Sequence, residues 1–179
     1  SDTTELTLGA RWYDIAVDFE GSANSSFGNG FGNPDEQRYG SNLSVQYAPG
    51  NANGYPDKAE SNGVIGKATL SWNPSDGIMY YVTWSEGFRP GLLNRPVGRT
   101  NADGSYTVKP EVDSDEITNY EFGWKTISKD GQLRFNGSAF MVDVAGLQST
   151  IFDPSIVNLF FSDNAADAEI KGVEGDLPI

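Results

Sequence analysis

Apolar and polar residues alternate along the segment 78–88, and this pattern constrains the fold more than any other feature of the chain. One parity of the segment is apolar and comprises Ile78, Tyr80, Val82 and Trp84. The other parity is more polar and comprises Met79, Tyr81, Thr83, Ser85 and Gly87. A period of two residues indicates a β-strand with two different faces. The length of the segment matches the roughly 9–11 residues that a tilted strand needs to cross a bilayer.

Segments of this kind recur along the chain, and the connections between them are alternately long and short. The sequence predicts six strands, at about 5–19, 64–73, 78–88, 114–127, 132–148 and 164–174, with no register assigned to the last. Compact turn signals occupy 73–77 and 128–131. The long connections are 21–62 with a small hairpin around 43–47, 89–112 with a hairpin tip at 100–105, and 149–163. Short turns on one side and long loops on the other are typical of an antiparallel barrel in a membrane.

The composition favours an all-β chain and argues against several classes of protein. With 21 Gly and 9 Pro the chain is rich in turn formers, and no run approaches the roughly 18 apolar residues of a spanning helix. A net charge of -13 argues against nucleic acid as a partner, because Lys and Arg hold a phosphate backbone. There is no Cys and no His, so disulfides, thiolate metal sites and the commonest general base are absent. We therefore predict neither an enzyme nor a cofactor.

Two architectures remain compatible with the alternation alone. In a soluble β-sandwich the apolar face of each strand packs on a second sheet, whereas in a membrane barrel it contacts lipid. Two features favour the barrel: the regular order of long and short connections, and aromatic residues close to the short turns. These aromatic residues are Trp72, Tyr80, Trp124 and Phe135. The residues predicted to face lipid are Leu70, Trp72, Tyr80, Val82, Trp84, Tyr120, Phe122, Trp124, Leu133 and Phe135.

Four ordered segments resemble the TonB-dependent receptors of the bacterial outer membrane. The segments are 80–91, 114–126, 133–148 and 164–174, which include Trp84-Ser85-Glu86-Gly87-Phe88-Arg89-Pro90-Gly91, Tyr120-Glu121-Phe122-Gly123-Trp124-Lys125 and Ile170-Lys171-Gly172-Val173-Glu174. The resemblance implies an antiparallel transmembrane barrel of about 22 strands with a plug in its lumen. Residues 1–179 would supply about six of these strands, and we interpret them as a piece of a longer protein, without its plug, TonB box or closing C-terminal strand.

The same resemblance implies a function and its partners. The parent protein would be a receptor of the Gram-negative outer membrane, surrounded by lipid and lipopolysaccharide. It would import a scarce ligand, above all an iron–siderophore complex, with energy delivered by the inner-membrane TonB complex through the plug region. The alternative from another class is a soluble or surface-exposed carbohydrate-binding β domain, similar to a lectin.

Two groups of side chains are candidates for a site. The charged residues on the polar parity of their strands are predicted to face the lumen, where they would contact the plug, line the ligand path, or simply be solvated or ion-paired; they are Arg11, Lys67, Glu121, Lys125 and Arg134. Residues after the third strand are predicted to bind an anionic ligand by forked hydrogen bonds and stacking, or else to pack in a loop or face lipopolysaccharide phosphates; they are Arg89, Asn94, Arg95, Arg99 and Tyr106.

Acidic residues near the strand ends are a further candidate, for Ca²⁺ binding through oxygen ligands. They are Glu111, Asp113, Asp115, Glu116, Asp163 and Asp167. Their spacing matches no known calcium loop, so a solvated acidic rim is the preferred interpretation and no metal site is predicted.

Overall fold

The computed structural model describes residues 3–19, 21–23, 45–47, 56–94, 108–128, 130–152 and 160–177. These residues form ten β-strands: β1 Thr4–Asp18, β2 Gly21–Ala23, β3 Val45–Tyr47, β4 Lys58–Ser75, β5 Ile78–Arg89, β6 Leu92–Leu93, β7 Glu111–Val112, β8 Asp115–Ile127, β9 Arg134–Phe152 and β10 Phe160–Asp176. Within these ranges, no helix is long and apolar enough to cross a membrane.

Six of the strands form one antiparallel sheet, in the order β1-β4-β5-β8-β9-β10. Each strand pairs with its predecessor in this series, so the long connections lie at one end of the sheet and the short turns at the other. The six predicted strands are therefore confirmed. The two small pairs are β2 with β3 and β6 with β7, the latter in the second long connection. β3 lies in the segment 43–47 where a small local hairpin was expected, but its partner is the distant β2, so that prediction was wrong about the pairing.

Three strands, β4, β9 and β10, extend farther toward the long connections than predicted. β4 begins at Lys58 rather than near 64, because the polar segment 58–63 continues the ladder with β1 as far as the pair of Asp18 and Lys58. β9 continues to Phe152 and β10 begins at Phe160, so the last connection is shorter than 149–163. Ladder hydrogen bonds use the backbone only, so pairing continues where the apolar alternation has ended.

The pairing register separates the two faces of the sheet. One row of paired residues is apolar in all six strands and is called the central row: Leu6, Leu70, Val82, Phe122, Ala139 and Val173. The neighbouring row, on the opposite face, is more polar: Thr7, Thr69, Thr83, Glu121, Phe140 and Gly172. The face of the central row is called the apolar face below, and the other the polar face.

Both short turns contain a glycine in the left-handed backbone region. Gly77 has a φ of 76° and its carbonyl accepts a hydrogen bond of 2.8 Å from the backbone N–H of Ile127. Gly131 has a φ of 73°, and its N–H donates to the Ser128 carbonyl at 2.8 Å. Glycine adopts such φ values without steric cost, which explains why these turns are compact.

The register of β10, which the sequence left open, is fixed by an irregularity in its pairing with β9. The ladder shifts between Asn164, Ala166 and Ala168, opposite Gly146, which has a φ of 63°. Asp167 accepts a hydrogen bond of 2.9 Å from the Gly146 N–H, and the Asn164 amide donates to the Gly146 carbonyl at 2.6 Å. These side chains satisfy the backbone groups that the bulge leaves unpaired.

Aromatic rings cover glycines on the neighbouring strand at several places in the sheet. The ring of Tyr81 lies over Gly123, with which it pairs, so a Cβ at Gly123 would lie only 2.1–2.4 Å from ring atoms. Trp124 covers Gly137 and Phe140 covers Gly172 in the same way. The absent side chains leave room for the rings, and the rings shield a backbone that glycine would leave bare.

We expect Gly123→Ala to destabilise the sheet, because the added methyl group displaces the Tyr81 ring, whose hydroxyl donates to Glu121 at 2.5 Å. The expected loss in free energy of unfolding is about 1–3 kcal/mol. Gly9→Ala is the matched control, since a Cβ there meets only the Lys67 Cβ, at an ordinary 3.9 Å. Denaturant unfolding of both variants provides the measurement. Equal losses in the two variants would contradict the packing explanation.

Candidate membrane surface and polar rim

The apolar face is exposed along the whole six-stranded sheet. Val173 is 76% exposed, Leu8 71% and Trp12 69%. Among the residues that the structure describes, only four apolar side chains are buried: Leu93, Val108, Val112 and Val144. In a soluble sandwich a second sheet would cover such a face. The described strands supply no such sheet, so the face needs an apolar environment from outside the chain.

The band of apolar residues on this face runs at an angle to the strands. On β1 the band extends toward the long connections as far as Trp12, which lies three same-face rows from the central row. On β10 it extends only as far as Val173, in the central row itself. Toward the short turns, the band ends on β1 at Leu6, in the central row. On the β10 side it extends two same-face rows farther, to Leu177 just after the strand. Averaged over its two edges, the band is displaced along the strand direction by about five residues, or roughly 17 Å, between β1 and β10. The strand spacings between them total roughly 24 Å.

This displacement corresponds to an angle of about 35° between the strands and the perpendicular to the band. Strands of membrane barrels are tilted by about 35–45° from the barrel axis, and their lipid-exposed residues form a level belt around it. The apolar band of this sheet therefore has the slope that a level membrane imposes on tilted strands.

Aromatic side chains form a continuous row at the short-turn end of the apolar face. The ring centroids of Trp72 and Tyr80 are 5.9 Å apart, those of Tyr80 and Phe122 are 6.3 Å apart, and those of Trp124 and Phe135 are 5.7 Å apart. Such amphipathic rings are enriched where a membrane meets water. Nine of the ten residues predicted to face lipid share this face, while Leu133 lies in the turn before β9.

The register places all five charged residues predicted to face the lumen on the polar face: Arg11, Lys67, Glu121, Lys125 and Arg134. Glu121 accepts the hydrogen bond from Tyr81, and Lys125 and Arg134 border a cleft of about 570 Å³ beside the short turns. Within the described ranges, none of the five forms a salt bridge with another, so an ion-pair ladder is not seen there. Contact with a plug or a ligand stays a prediction.

Arg89 lies where β5 ends, at the end of the sheet toward the long connections. The polar contacts at this end, made by Arg89, Asn94, Asp115, Gln148 and Asn164, are called the polar rim. Arg89 holds the strands of this rim together. Its guanidinium donates to one carboxylate oxygen of Asp115, with the Nε at 3.0 Å, and to the Gln148 carbonyl at 2.9 Å. The backbone N–H of Gln148 donates to the same Asp115 oxygen at 3.2 Å. The contacts join β5, β8 and β9, so Arg89 has a structural role, as the alternative of packing on its neighbours allowed, with partners that the sequence did not identify.

Asp115 lies beyond the apolar band and is only 2% exposed. Burial raises the pKa of this carboxyl, but the hydrogen bonds from Arg89 and Gln148 outweigh burial, so the pKa lies below its usual range. Asp115 is therefore ionised at neutral pH, and its charge is balanced by Arg89.

Asn94 is buried and fastens the second long connection to the sheet. Its side-chain amide donates to the carbonyls of Lys109 at 2.8 Å and Ser162 at 2.7 Å, and its oxygen accepts from the Ser162 N–H at 2.8 Å. These bonds hold β6 and β7 against β10. The other predicted ligand contacts, Arg95, Arg99 and Tyr106, lie outside the described residues.

The side-chain amide of Gln148 also fixes the second long connection to the sheet, and the sequence did not identify Gln148 as a candidate. The Gln148 side chain donates to the carbonyls of Pro90 and Asp113, each at 2.9 Å, and Asn164 donates to the Asp113 carbonyl at 3.0 Å. A glutamine within an apolar strand signals a buried polar partner, but its sequence does not identify that partner. Among the described residues, no three of His, Cys, Asp or Glu lie close enough together to hold a metal ion.

Comparison with known proteins agrees with this geometry. The family model described as "TonB dependent receptor-like, beta-barrel" matches residues 1–177. The structure is similar to the ferric yersiniabactin uptake receptor FyuA from Yersinia pestis, with a TM-score of 0.64 and 14% identity; the match covers 99% of this chain and 22% of that one. No curated protein sequence gives a significant match. The all-β barrel segment expected from the sequence is confirmed, and the described strands do not close into a barrel.

We expect Arg89→Met to destabilise the rim, since it leaves the buried Asp115 carboxylate without its charged partner. The expected loss is about 1–3 kcal/mol in the free energy of unfolding. Lys58→Met is the matched control, because the pair of Lys58 and Asp18 is exposed on both sides and such pairs contribute about 0–1 kcal/mol. Adding Asp115→Asn to Arg89→Met is expected to restore part of the loss. Equal stability of both single variants would show that the rim pair has no structural role.

Proposed function

We propose that this chain, which belongs to the family of TonB-dependent receptor β-barrels, forms part of the wall of an import receptor in the outer membrane of a Gram-negative bacterium. The chain spans about a fifth of the length of the receptor that it resembles in structure, as it covers 22% of that chain. The plug, the remaining strands of a barrel of about 22, and the coupling to the inner-membrane TonB complex are parts of this proposal.

The exposed, sloping apolar band is the observation that carries the proposal. A single-layered sheet with one apolar and one polar face satisfies the backbone within the sheet and leaves side chains for lipid on one side and water on the other. A carbohydrate-binding β domain in solution would need a second layer over Leu70, Val82 and Phe122, which are each about half exposed. The lectin alternative is therefore not favoured.

We further propose that the imported ligand is an iron–siderophore complex. The support is the family together with the similar structure of a ferric yersiniabactin uptake receptor, although 14% identity relates the two by fold alone. Arg89 is half exposed and already engaged with Asp115, so its contribution to binding is to position the rim, and a direct contact would use only its free edge. Arg95, Arg99 and Tyr106 remain the proposed direct contacts.

We expect Val82→Arg to impair membrane assembly far more than Thr83→Arg. Val82 belongs to the central row, where a charge facing lipid costs about 2–4 kcal/mol, whereas Thr83 lies on the polar face beside Thr69. The measurement is the fraction of heat-modifiable full-length protein in the outer membrane. Equal tolerance of both arginines, or a freely soluble monomer with a cooperative melt, would refute the membrane assignment.

We expect the double variant Arg95→Gln and Arg99→Gln to raise the Kd for the iron complex at least about tenfold, equivalent to about 1.4 kcal/mol. Forked guanidinium hydrogen bonds to an anionic ligand are lost, while Arg89 and its rim contacts are left intact. Binding to the intact receptor is measured at equal amounts of assembled protein. Unchanged uptake of every iron complex tested would reject the residue assignment; a deletion of the receptor that affects only sugar or cobalamin uptake would reject the ligand.

A further inference from the structure

The ladder between β4 and β5 ends before either strand does. It runs from the pair of Ser75 and Ile78 to the pair of Lys67 and Ser85, and no later pair joins the two strands, although both are described throughout. β4 continues to Lys58 in register with β1, and β5 continues to Arg89 in register with β8. The sheet thus divides into two leaves, β1 with β4 and β5 with β8 to β10. We call the unpaired segments 58–66 and 86–89 the fork.

A cleft of about 670 Å³ lies at the fork. Its lining includes Tyr13 and Ser61 of the first leaf on one side, and Gly91 and Val112 of the second long connection with Glu116 of β8 on the other. Open space also adjoins β5 itself, since a Cβ added to Gly87 would meet no atom within 4 Å. The cleft therefore borders the β4 arm of the fork, and its opposite side is formed by the second long connection and β8.

Side chains replace the ladder across the fork. The Gly66 N–H donates to the Glu86 carboxylate at 2.8 Å, and the Gly91 N–H donates to the Ser61 hydroxyl at 3.0 Å. The rings of Tyr13 and Phe88 stack with centroids 3.6 Å apart and planes inclined by 13°. Each of these contacts across the fork thus depends on the rotamer of a side chain.

Such contacts differ from a ladder in how they break. Neighbouring ladder bonds share one rigid backbone, so they open only when a whole strand segment separates. A hydrogen bond held by a single side chain breaks by rotation about its own χ angles, and the strands at the fork remain paired on their outer sides. The leaves can therefore part at the fork without loss of the ladders of β1 with β4 and of β5 with β8.

We propose that the fork is a movable joint in the wall of the barrel. The two leaves separate and close at the end of the long connections, and the cleft widens and narrows with them. The continuous ladder from Lys67 to Trp72 is the fixed side of the joint. The motion is a property of the wall and holds for any ligand, so it goes beyond the function proposed above.

Two hydroxyl pairs at the same distance allow a direct test. The Oγ atoms of Ser61 and Ser114 are 3.0 Å apart across the fork, and the Oγ1 atoms of Thr69 and Thr83 are also 3.0 Å apart across the intact ladder. Cysteine replaces serine or threonine at either pair with little change in size, and the chain has no other Cys. A disulfide needs an S–S distance of about 2.05 Å, so small rotations of the two cysteine side chains are expected to close either pair.

The experiment treats full-length receptor in outer membranes with an oxidant or with a rigid bifunctional thiol reagent too long for a closed pair. The variants are Ser61→Cys with Ser114→Cys and Thr69→Cys with Thr83→Cys, and yields are normalised to labelling by a monofunctional reagent of the same chemistry. We expect both variants to form the disulfide, and the long reagent to link the fork pair at least about tenfold more than the ladder pair. Equal yields of the long cross-link at the fork pair and the ladder pair would contradict the movable joint. That result would leave the proposed import function untouched.

Hydrogen exchange of the unmodified receptor gives a second test that needs no variant. Along β4 successive N–H groups point to opposite neighbours, so Gly66 faces the fork while Ile65 faces β1. Because Ile65 and Gly66 are consecutive residues, their amides lie at nearly the same position along β4. We expect the Gly66 amide to exchange about tenfold faster than the Ile65 amide. Equal protection of the two amides would overturn the proposal even if the cysteine variants fail to assemble.

Discussion

The backbone ladder of the six-stranded sheet is the constraint on which the rest of the structure depends. A sheet of one layer has no core of its own, so its strands are held by hydrogen bonds between neighbours and by contacts along each face. The rows that begin with Leu6 and Thr7 follow directly from this pairing, because each pair fixes which side chains share a face. Lipid, water and any plug therefore meet surfaces that the register has already defined.

The polar rim supplies hydrogen-bond partners at the end of the sheet where the apolar band stops. There the second long connection crosses the strand ends, and its backbone groups need partners that a ladder does not supply. Gln148, Asn94 and Asn164 provide those partners from three different segments, and the pair of Arg89 and Asp115 adds a balanced charge. Sequence position gives no indication of such contacts, since Asn94 and Ser162 are 68 residues apart.

The fork shows how a local exception arises within the same sheet. β4 and β5 follow one another through a compact turn and pair closely beside it, as alternation and turn signals predict. Farther from the turn, each strand stays with its other neighbour, and Glu86 and Ser61 complete the bonds that remain. The sequence placed 58–62 in a loop and most of the remaining fork in strands, and it did not show which neighbour each strand pairs with, so the loss of pairing is visible only in three dimensions.

The sequence by itself determined the strand order and the two faces, because alternation, turn glycines and connection lengths act between residues close in the chain. The family was identified separately, by the resemblance of four ordered segments. Parity alone also assigned Arg11, Lys67, Glu121, Lys125 and Arg134 to the polar face. Only the tertiary structure decided the slope of the apolar band, the register of β10 and the structural role of Arg89. These depend on which atoms of distant segments meet, and a pattern of period two carries no information about the offset between strands.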